Sequence, residues 1–407
     1  MHTAPLSSPA SGAPLPLPLC EPRDVGLCAE RLQRAEDLVA RFIEEGRLPG
    51  AVTLVARRGR IAHLRTQGWS DIAGKVPMAV DSLFRIYSMT KIFNAVSVLT
   101  LYERGLLDLN DPIARYLPGF TGLRVAMPDG SRVPARRDPT IYDLLRYCAG
   151  LAMPPNSDAM RKQPQTLADI ALEWSTRDLI AQPGEKWIYG VANDILARIV
   201  EVVSGTPYDK YLNDTIFRPL GLVDTGYSVD DARAARLTHC YHLARAGGLT
   251  VQDGNGPESP YRVRPTLCGG GSGLVSSTLD YFRLAAMLLG RGEFRGDVAG
   301  VPAAVRILGR KTVELMTTDH LPAEHPNLEI GTQCFRFGLG VSVVTDVARS
   351  RCLSSLGDFG WGGAAGTQVW MNPEEEMVVM IMIQVRADVP TGIMDVYKRL
   401  IYQAIVD

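Results

Sequence analysis

No apolar run in this 407-residue chain approaches the roughly 20 residues that a membrane-spanning helix needs; the longest covers residues 377–383. An excess of charge of either sign is also missing. Forty-three lysines and arginines face 44 aspartates and glutamates, and Arg57-Arg58 and Arg136-Arg137 are isolated doublets, so no nucleic-acid footprint is present. The start, MHTAPLSSPASGAPLPLPLC, lacks the basic end and the continuous apolar core of a secretory signal, and residues 1–27 are expected to be a disordered lead-in. Without a signal, the seven cysteines are expected as reduced thiols in a cytoplasmic protein. They are odd in number and form no metal-ligand spacing with the six histidines, even where His239 and His242 flank Cys240, so neither a metal nor an organic cofactor is expected. A Gly-x-Ser-x-Gly elbow is absent, which argues against an α/β-hydrolase. The glycine run at 269–273 is followed by no Gly-Lys-Ser/Thr, so it reads as a structural turn and not a phosphate loop.

What is present is an ordinary enzyme-sized composition, 46% hydrophobic and 21% charged, enough for two domains or one large one with an insertion. Residues 28–46 carry apolar side chains at helical spacing and close on Gly46. The stretch AVTLVARRGRIAHLRTQGWSD then alternates on both sides of an Arg-Arg-Gly turn, a β-hairpin pattern. The pattern returns to a helix over 88–103, with Ile92, Ala95, Val96 and Leu99 on one face. Thr140 and Asp143 form a variant capping box, and Ser277 or Thr278 caps a helix reaching Leu289. Strand patterns resume over 337–344, 367–371 and 377–384, and a helix over 393–405 ends the chain. Strand patterns at both ends with helices between predict an α/β (α+β) fold: one domain from residues 28–106 and 291–407, with a mainly helical domain, 107–290, inserted in it.

One stretch carries chemistry. In DSLFRIYSMTKIFN, residues 81–94, Ser88 is followed three positions later by Lys91. Side chains three apart on a helix share a face, about 5–6 Å between β-carbons. A serine hydroxyl needs a base to become a nucleophile, and a desolvated lysine can hold or relay its proton. With twenty serines and seven lysines, roughly 0.3 such pairs arise by chance, and an N-cap serine followed by a surface lysine is the commoner meaning of the pair alone.

The context changes that reading. SLFRIYSMTK, LLDLNDPIARYLPGF, IYDLLRYCAGL, QPGEKWIYGVANDILARIVE, IFRPLGLVDTGY, GGGSGLVSSTLDYFRLAAMLL and GWGGAAGTQVWMNP occur in order. Together they resemble the serine β-lactamase and penicillin-binding-protein superfamily, and most the class C-like esterase branch, the family VIII carboxylesterases. The resemblance implies an antiparallel sheet covered by helices, beside an all-helical domain, with the active site between. It places the first motif at Ser88 to Lys91. The second, Tyr-x-Asn in β-lactamases, falls on Tyr189-Gly190-Val191; the tyrosine is kept, the asparagine is not, and Asn193 lies two residues later. The third, Lys-Thr-Gly in β-lactamases, falls on Trp361-Gly362-Gly363, and neither Lys-Thr-Gly nor His-x-Gly occurs in the chain. The missing lysine would have met a β-lactam carboxylate, whereas Trp361 offers a flat apolar wall for a neutral acyl or alcohol group.

The chemistry so implied is cleavage of carboxylic esters of small or medium acyl chain through an acyl-enzyme on Ser88, with no cofactor. Lys91 and Tyr189 would share proton handling as a coupled pair, and which is the base in acylation stays open. Backbone N–H groups of Ser88 and Ala364 would hold the oxyanion. Blander readings stand beside these: Tyr189 as a core residue, Trp361 buried under a strand edge, and Met153, Met160 and Trp174 as helix core or surface instead of a lid. Acyl transfer to an alcohol acceptor, weak β-lactamase or peptidase activity, and a non-catalytic scaffold remain alternatives. The expected partner is a small-molecule ester, with no nucleic acid and no membrane, and the sequence is silent on oligomeric state.

Overall fold

The computed structural model describes residues 15–153, 165–298, 300–326, 328–330 and 333–407. Its main sheet has nine strands drawn from both ends of the chain. We number them β1 (Gly50–Arg57), β2 (Arg60–Asp71), β3 (Val76–Pro77), β4 (Leu328–Ile330), β5 (Gln333–Phe337), β6 (Ser342–Val343), β7 (Phe359–Gly362), β8 (Gln368–Asn372) and β9 (Met377–Met382). The order is β4-β5-β6-β7-β8-β9-β1-β2-β3, and every neighbouring pair is antiparallel. The β9–β1 pairing, Met382 opposite Val52 and Met377 opposite Arg57, joins the two halves. Arg58 (φ 52°) and Gly59 (φ 72°) are both left-handed, as a two-residue hairpin turn that matches strand twist requires.

The five longest helices among the described residues are α1 (Ala29–Glu44), α2 (Thr90–Glu103), α3 (Ala192–Ser204), α4 (Thr278–Leu289) and α5 (Ile393–Tyr402). The apolar run at 377–383 is continuous because both faces of β9 are covered. Met377, Val379 and Ile381 share a core with Ala51, Val55 and the apolar stripes of α1 and α5. Val378, Met380 and Met382 join Val52, Leu54, α4 and α2 on the opposite face.

Three expectations need correction. Helix α4 was expected in the inserted helical unit, yet it packs on β9, β8 and β1. Every residue from Thr278 to Ala285 is buried, so the helix has no face suited to solvent. Ser277 is its cap, accepting from the Asp280 N–H at 3.3 Å. Helix α2 was expected to bury one stripe, but all residues from Thr90 to Leu101 are buried. It lies between α4, where Phe93 meets Tyr281 edge-on at 5.5 Å, and α3. Lastly, the described part of the lead-in, 15–27, is ordered. The Ile61 N–H donates to the Pro18 carbonyl at 2.9 Å, the Cys20 N–H to the Ile61 carbonyl at 3.0 Å, and Val25 and Leu27 are buried. Prolines carry no N–H, so the segment meets β2 through the single bridge Leu19–Ile61 and does not form a regular strand. Residues 1–14 lie outside the described residues.

The short strand Leu83–Arg85 leads to the Ser88 turn, pairing with Val275–Ser277. Arg85 is fully buried, and its guanidinium donates to Asp253 Oδ2 at 2.6 Å and to the carbonyls of Thr238 (2.6 Å) and Gly254 (2.5 Å). Replacing one partner of such a buried pair strands the other. Arg85→Met is expected to lower unfolding stability by about 3–5 kcal/mol in denaturant titration, because three acceptors lose their donor.

Candidate active site

After Arg85 the backbone turns sharply. Tyr87 sits at φ 44°, a left-handed conformation that a side-chain-bearing residue adopts at a cost of order 1–3 kcal/mol. Its hydroxyl is 3.7 Å from Cys240 Sγ, and the Arg386 guanidinium lies over its ring at 5.7 Å. Ser88 was expected to open the long helix. It lies instead on a separate 3-10 turn, Tyr87–Met89, just before α2 begins at Thr90. The strained turn leaves Ser88 half-buried while Lys91, on the first turn of α2, is buried.

Lys91 Nζ donates to Ser88 Oγ at 3.0 Å, and the Tyr189 hydroxyl donates to the same oxygen at 2.8 Å. Thus Ser88, Lys91 and Tyr189, distant in sequence, converge on one oxygen. Lys91 Nζ lies 4.9 Å from the Tyr189 ring centroid. Burial works to raise the Tyr189 pKa, but the Lys91 charge, with hydrogen bonding from Lys91, Ser88 and Trp361, outweighs it and leaves the phenol more acidic than ordinary tyrosine. Tyr147 stacks on it at 5.3 Å and 27° and shows the reverse. Burial first, then the neighbouring Tyr189, push the Tyr147 phenol well above its usual value. Two tyrosines in contact with pKa values driven apart are the arrangement in which one handles protons and the other stays neutral.

The third motif lies against the nucleophile turn. A β-carbon on Gly363 would come within 2.5 Å of the Ile86 carbonyl oxygen, so only glycine lets β7's end approach this closely. A β-carbon on Gly362 would meet Gln368 Oε1 at 2.0 Å, but that atom ends a flexible side chain, so the need for glycine is weaker there. Ala364 follows on an exposed turn closed by the Gly366 N–H to the Gly363 carbonyl at 2.9 Å. Trp361 is buried and tilts against Tyr189 at 6.0 Å, with Phe337 and Phe335 edge-on to it at 5.3 and 5.9 Å. Trp187 completes the aromatic wall, stacked on Tyr189 at 5.9 Å.

Several participants were not found from the sequence. Lys91 Nζ also donates to the Gly271 carbonyl at 2.5 Å, from inside the glycine run read only as a turn. Asn193 turns its side chain to Tyr147 and Asn94: its amide donates to the Tyr147 hydroxyl and accepts from Asn94 Nδ2 at 2.9 Å. Tyr147 itself is left-handed, φ 60°, a feature no spacing rule reveals. Of the suggested lid residues, Trp174 is buried in the helical core, Met153 is exposed, and Met160 lies outside the described residues. His239 and His242 face different carboxylates, Asp71 at 3.5 Å and Asp388 at 3.2 Å. No helix among the described residues is long and apolar enough to cross a membrane.

A strained serine turn, a lysine and a tyrosine on one oxygen, and a glycine-bearing strand against them define the site of a serine β-lactamase-like protein, and the chain belongs to the Beta-lactamase family, which it matches over residues 35–403. Its fold is the β-lactamase/transpeptidase-like one. Protein Rv1367c of Mycobacterium tuberculosis is 35% identical over 359 residues, covering 84% of this chain and 87% of that protein. Esterase EstB of Burkholderia gladioli is 29% identical over 377 residues, with the same coverage of 84% and 87%. Among solved structures, EstCE1, described as a hydrolase with promiscuous acyltransferase activity, superposes with a TM-score of 0.76 at 26% identity, over 93% of this chain and 99% of that one.

Proposed function

We propose that the protein is a serine carboxylesterase of the family VIII type, cleaving esters of small or medium acyl chain. The observation that carries this reading is the convergence of Lys91 Nζ and the Tyr189 hydroxyl on Ser88 Oγ, at 3.0 and 2.8 Å. In this mechanism Ser88 Oγ attacks the ester carbonyl while its proton passes to the Tyr189–Lys91 pair. The same proton goes to the departing alcohol, and the pair then activates the water that releases the acid. Backbone N–H groups of Ser88 and Ala364 are the proposed oxyanion donors. The aromatic wall of Trp361, Phe337 and Trp187 suits an uncharged acyl or alcohol group. The likeness to Esterase EstB supports the same reading. A cytoplasmic location, in which thiols stay reduced, is part of the same proposal.

The test compares p-nitrophenyl butyrate with a chromogenic cephalosporin. Ester turnover is expected to exceed cephalosporin turnover by at least ~10²-fold, since no lysine stands at the third motif to meet a carboxylate. Equal rates would move the assignment to a β-lactamase. A second reading, acyl transfer to an alcohol, is favoured by the likeness to EstCE1. Adding an acceptor alcohol and measuring the partition between acid and new ester separates the two.

A further inference from the structure

Lys91 has a partner that no motif names. Its Nζ donates at 2.5 Å to the carbonyl of Gly271, the middle of a run of glycines. A carbonyl in such a run has no side chain to fix it, and glycine populates many backbone conformations. Something else must hold it, and that is the first turn of α3. The Gly271 N–H donates to Asp194 Oδ1 at 3.1 Å. The glycines lie so tightly on this turn that a β-carbon on Gly269 would be 2.8 Å from Asp194 Oδ1, and one on Gly270 would be 2.3 Å from the Asn193 carbonyl oxygen. On Gly271 it would sit 3.6 Å from each carboxylate oxygen of Asp194. The Tyr227 hydroxyl fixes the start of the run, donating to the Gly269 carbonyl at 2.6 Å, while Asp194 fixes Gly271, whose carbonyl faces Lys91.

We propose that Asp194 is a positioning residue for Lys91, fixing the glycine run so that the Gly271 carbonyl holds the lysine amine against Ser88 and Tyr189. The proposal rests on the serine-esterase reading. Its neighbour Asn193 performs the parallel task on Tyr147, whose ring backs Tyr189, so two consecutive residues of α3 brace the two proton-handling groups. Where the β-lactamase pattern has an asparagine two residues after the tyrosine, this chain has Val191, and the support for the lysine comes through a backbone carbonyl.

The experiment measures kcat, KM and the pH profile for p-nitrophenyl butyrate in the wild type, D194A and D194N. D194A is expected to lose ~10²-fold in kcat with KM changed less than about 3-fold, as a misplaced catalytic group does. Lys91, Ser88, Tyr147 and Trp361 face Tyr189, and a Lys91 free to drift acidifies the phenol less, so the acid limb of the D194A profile moves to higher pH. D194N keeps an oxygen that can accept from the Gly271 N–H, and is expected to stay within about 3-fold of wild type with its limb unmoved. D194A with wild-type kcat and profile, or D194N falling as far as D194A, overturns the proposal. Should D194A not fold, D194N decides by the same criterion. A wild type that neither hydrolyses the ester nor takes a fluorophosphonate removes the esterase reading, and this proposal with it.

Discussion

In the Ser88→Ala enzyme, release of nitrophenolate from p-nitrophenyl butyrate is expected to fall by at least ~10³-fold, because removal of a nucleophile acting as a unit with its base abolishes nearly all of the acceleration. Ser88 Oγ is the atom on which Lys91 and Tyr189 both converge. Loss of that oxygen leaves Lys91 still bonded to the Gly271 carbonyl, so the lysine does not become an unpaired buried charge. The turn that carries Ser88 is half-buried and backed by Ile86 and Met89, which the substitution does not touch. The thermal midpoint should therefore stay close to that of the wild type, separating chemistry from folding. A fluorophosphonate supplies an independent readout: Ser88 Oγ bonds to phosphorus as fluoride departs, and the alanine variant should take no label. Equal hydrolysis by both proteins would mean that another residue is the nucleophile. No hydrolysis by either, with labelling of the wild type intact, would point to a narrower ester than the one supplied.

The strand and helix pattern was largely legible because it depends on local periodicity. The Arg57-Arg58-Gly59 hairpin, the Thr140–Asp143 capping box and the apolar run of β9 appear in the structure near the expected places. What periodicity could not supply was the partner of each face. Helix α2 intersperses Lys91, Asn94, Ser97 and Thr100 among its apolar residues and buries them all, so the stripe of Ile92, Ala95, Val96 and Leu99 is not its only covered face. Both hydroxyls are satisfied inside the helix, Ser97 Oγ donating to the Asn94 carbonyl and Thr100 Oγ1 to the Ser97 carbonyl, each at 2.7 Å. Likewise α4 has no sequence feature that says which layer it joins. In residues 15–27 composition misleads: prolines suggest disorder, although the leucines between them, Leu15 and Leu17, pack on the core.

The site divides along the same line. Ser88, Lys91, Tyr189 and Trp361 were found through motifs, and the structure brings all four together. The supporting groups were missed because they act through backbone or through long-range contacts. Gly271 contributes a carbonyl, which every residue has, and only its place in the fold makes it a ligand of Lys91. Tyr147 lies 42 residues from Tyr189 along the chain (189 minus 147), and the stacking of the two rings leaves no trace in sequence spacing.

Tyr189→Phe keeps the ring and removes only the hydroxyl, so the stacking on Tyr147 and Trp187 should survive. Turnover is expected to fall by ~10²–10⁴-fold, the usual contribution of a positioned general base. The pH profile tells more than the rate. In the wild type, kcat/KM should rise with pH through an apparent pKa below the ~10 of free tyrosine, since the Lys91 charge outweighs the effect of burial on the phenol. The limb belongs to the Lys91–Tyr189 pair and not to either group alone. Lys91→Met removes the positive charge and leaves burial unopposed, so whatever activity remains should require a higher pH. In Tyr189→Phe the same limb should vanish, because the pair whose ionisation it reports is broken. A phenylalanine variant within about 10-fold of wild type, with the limb still present, would assign the base to Lys91 alone. The tyrosine would then serve as a hydrogen-bond donor to Ser88 Oγ, the role its 2.8 Å contact also permits.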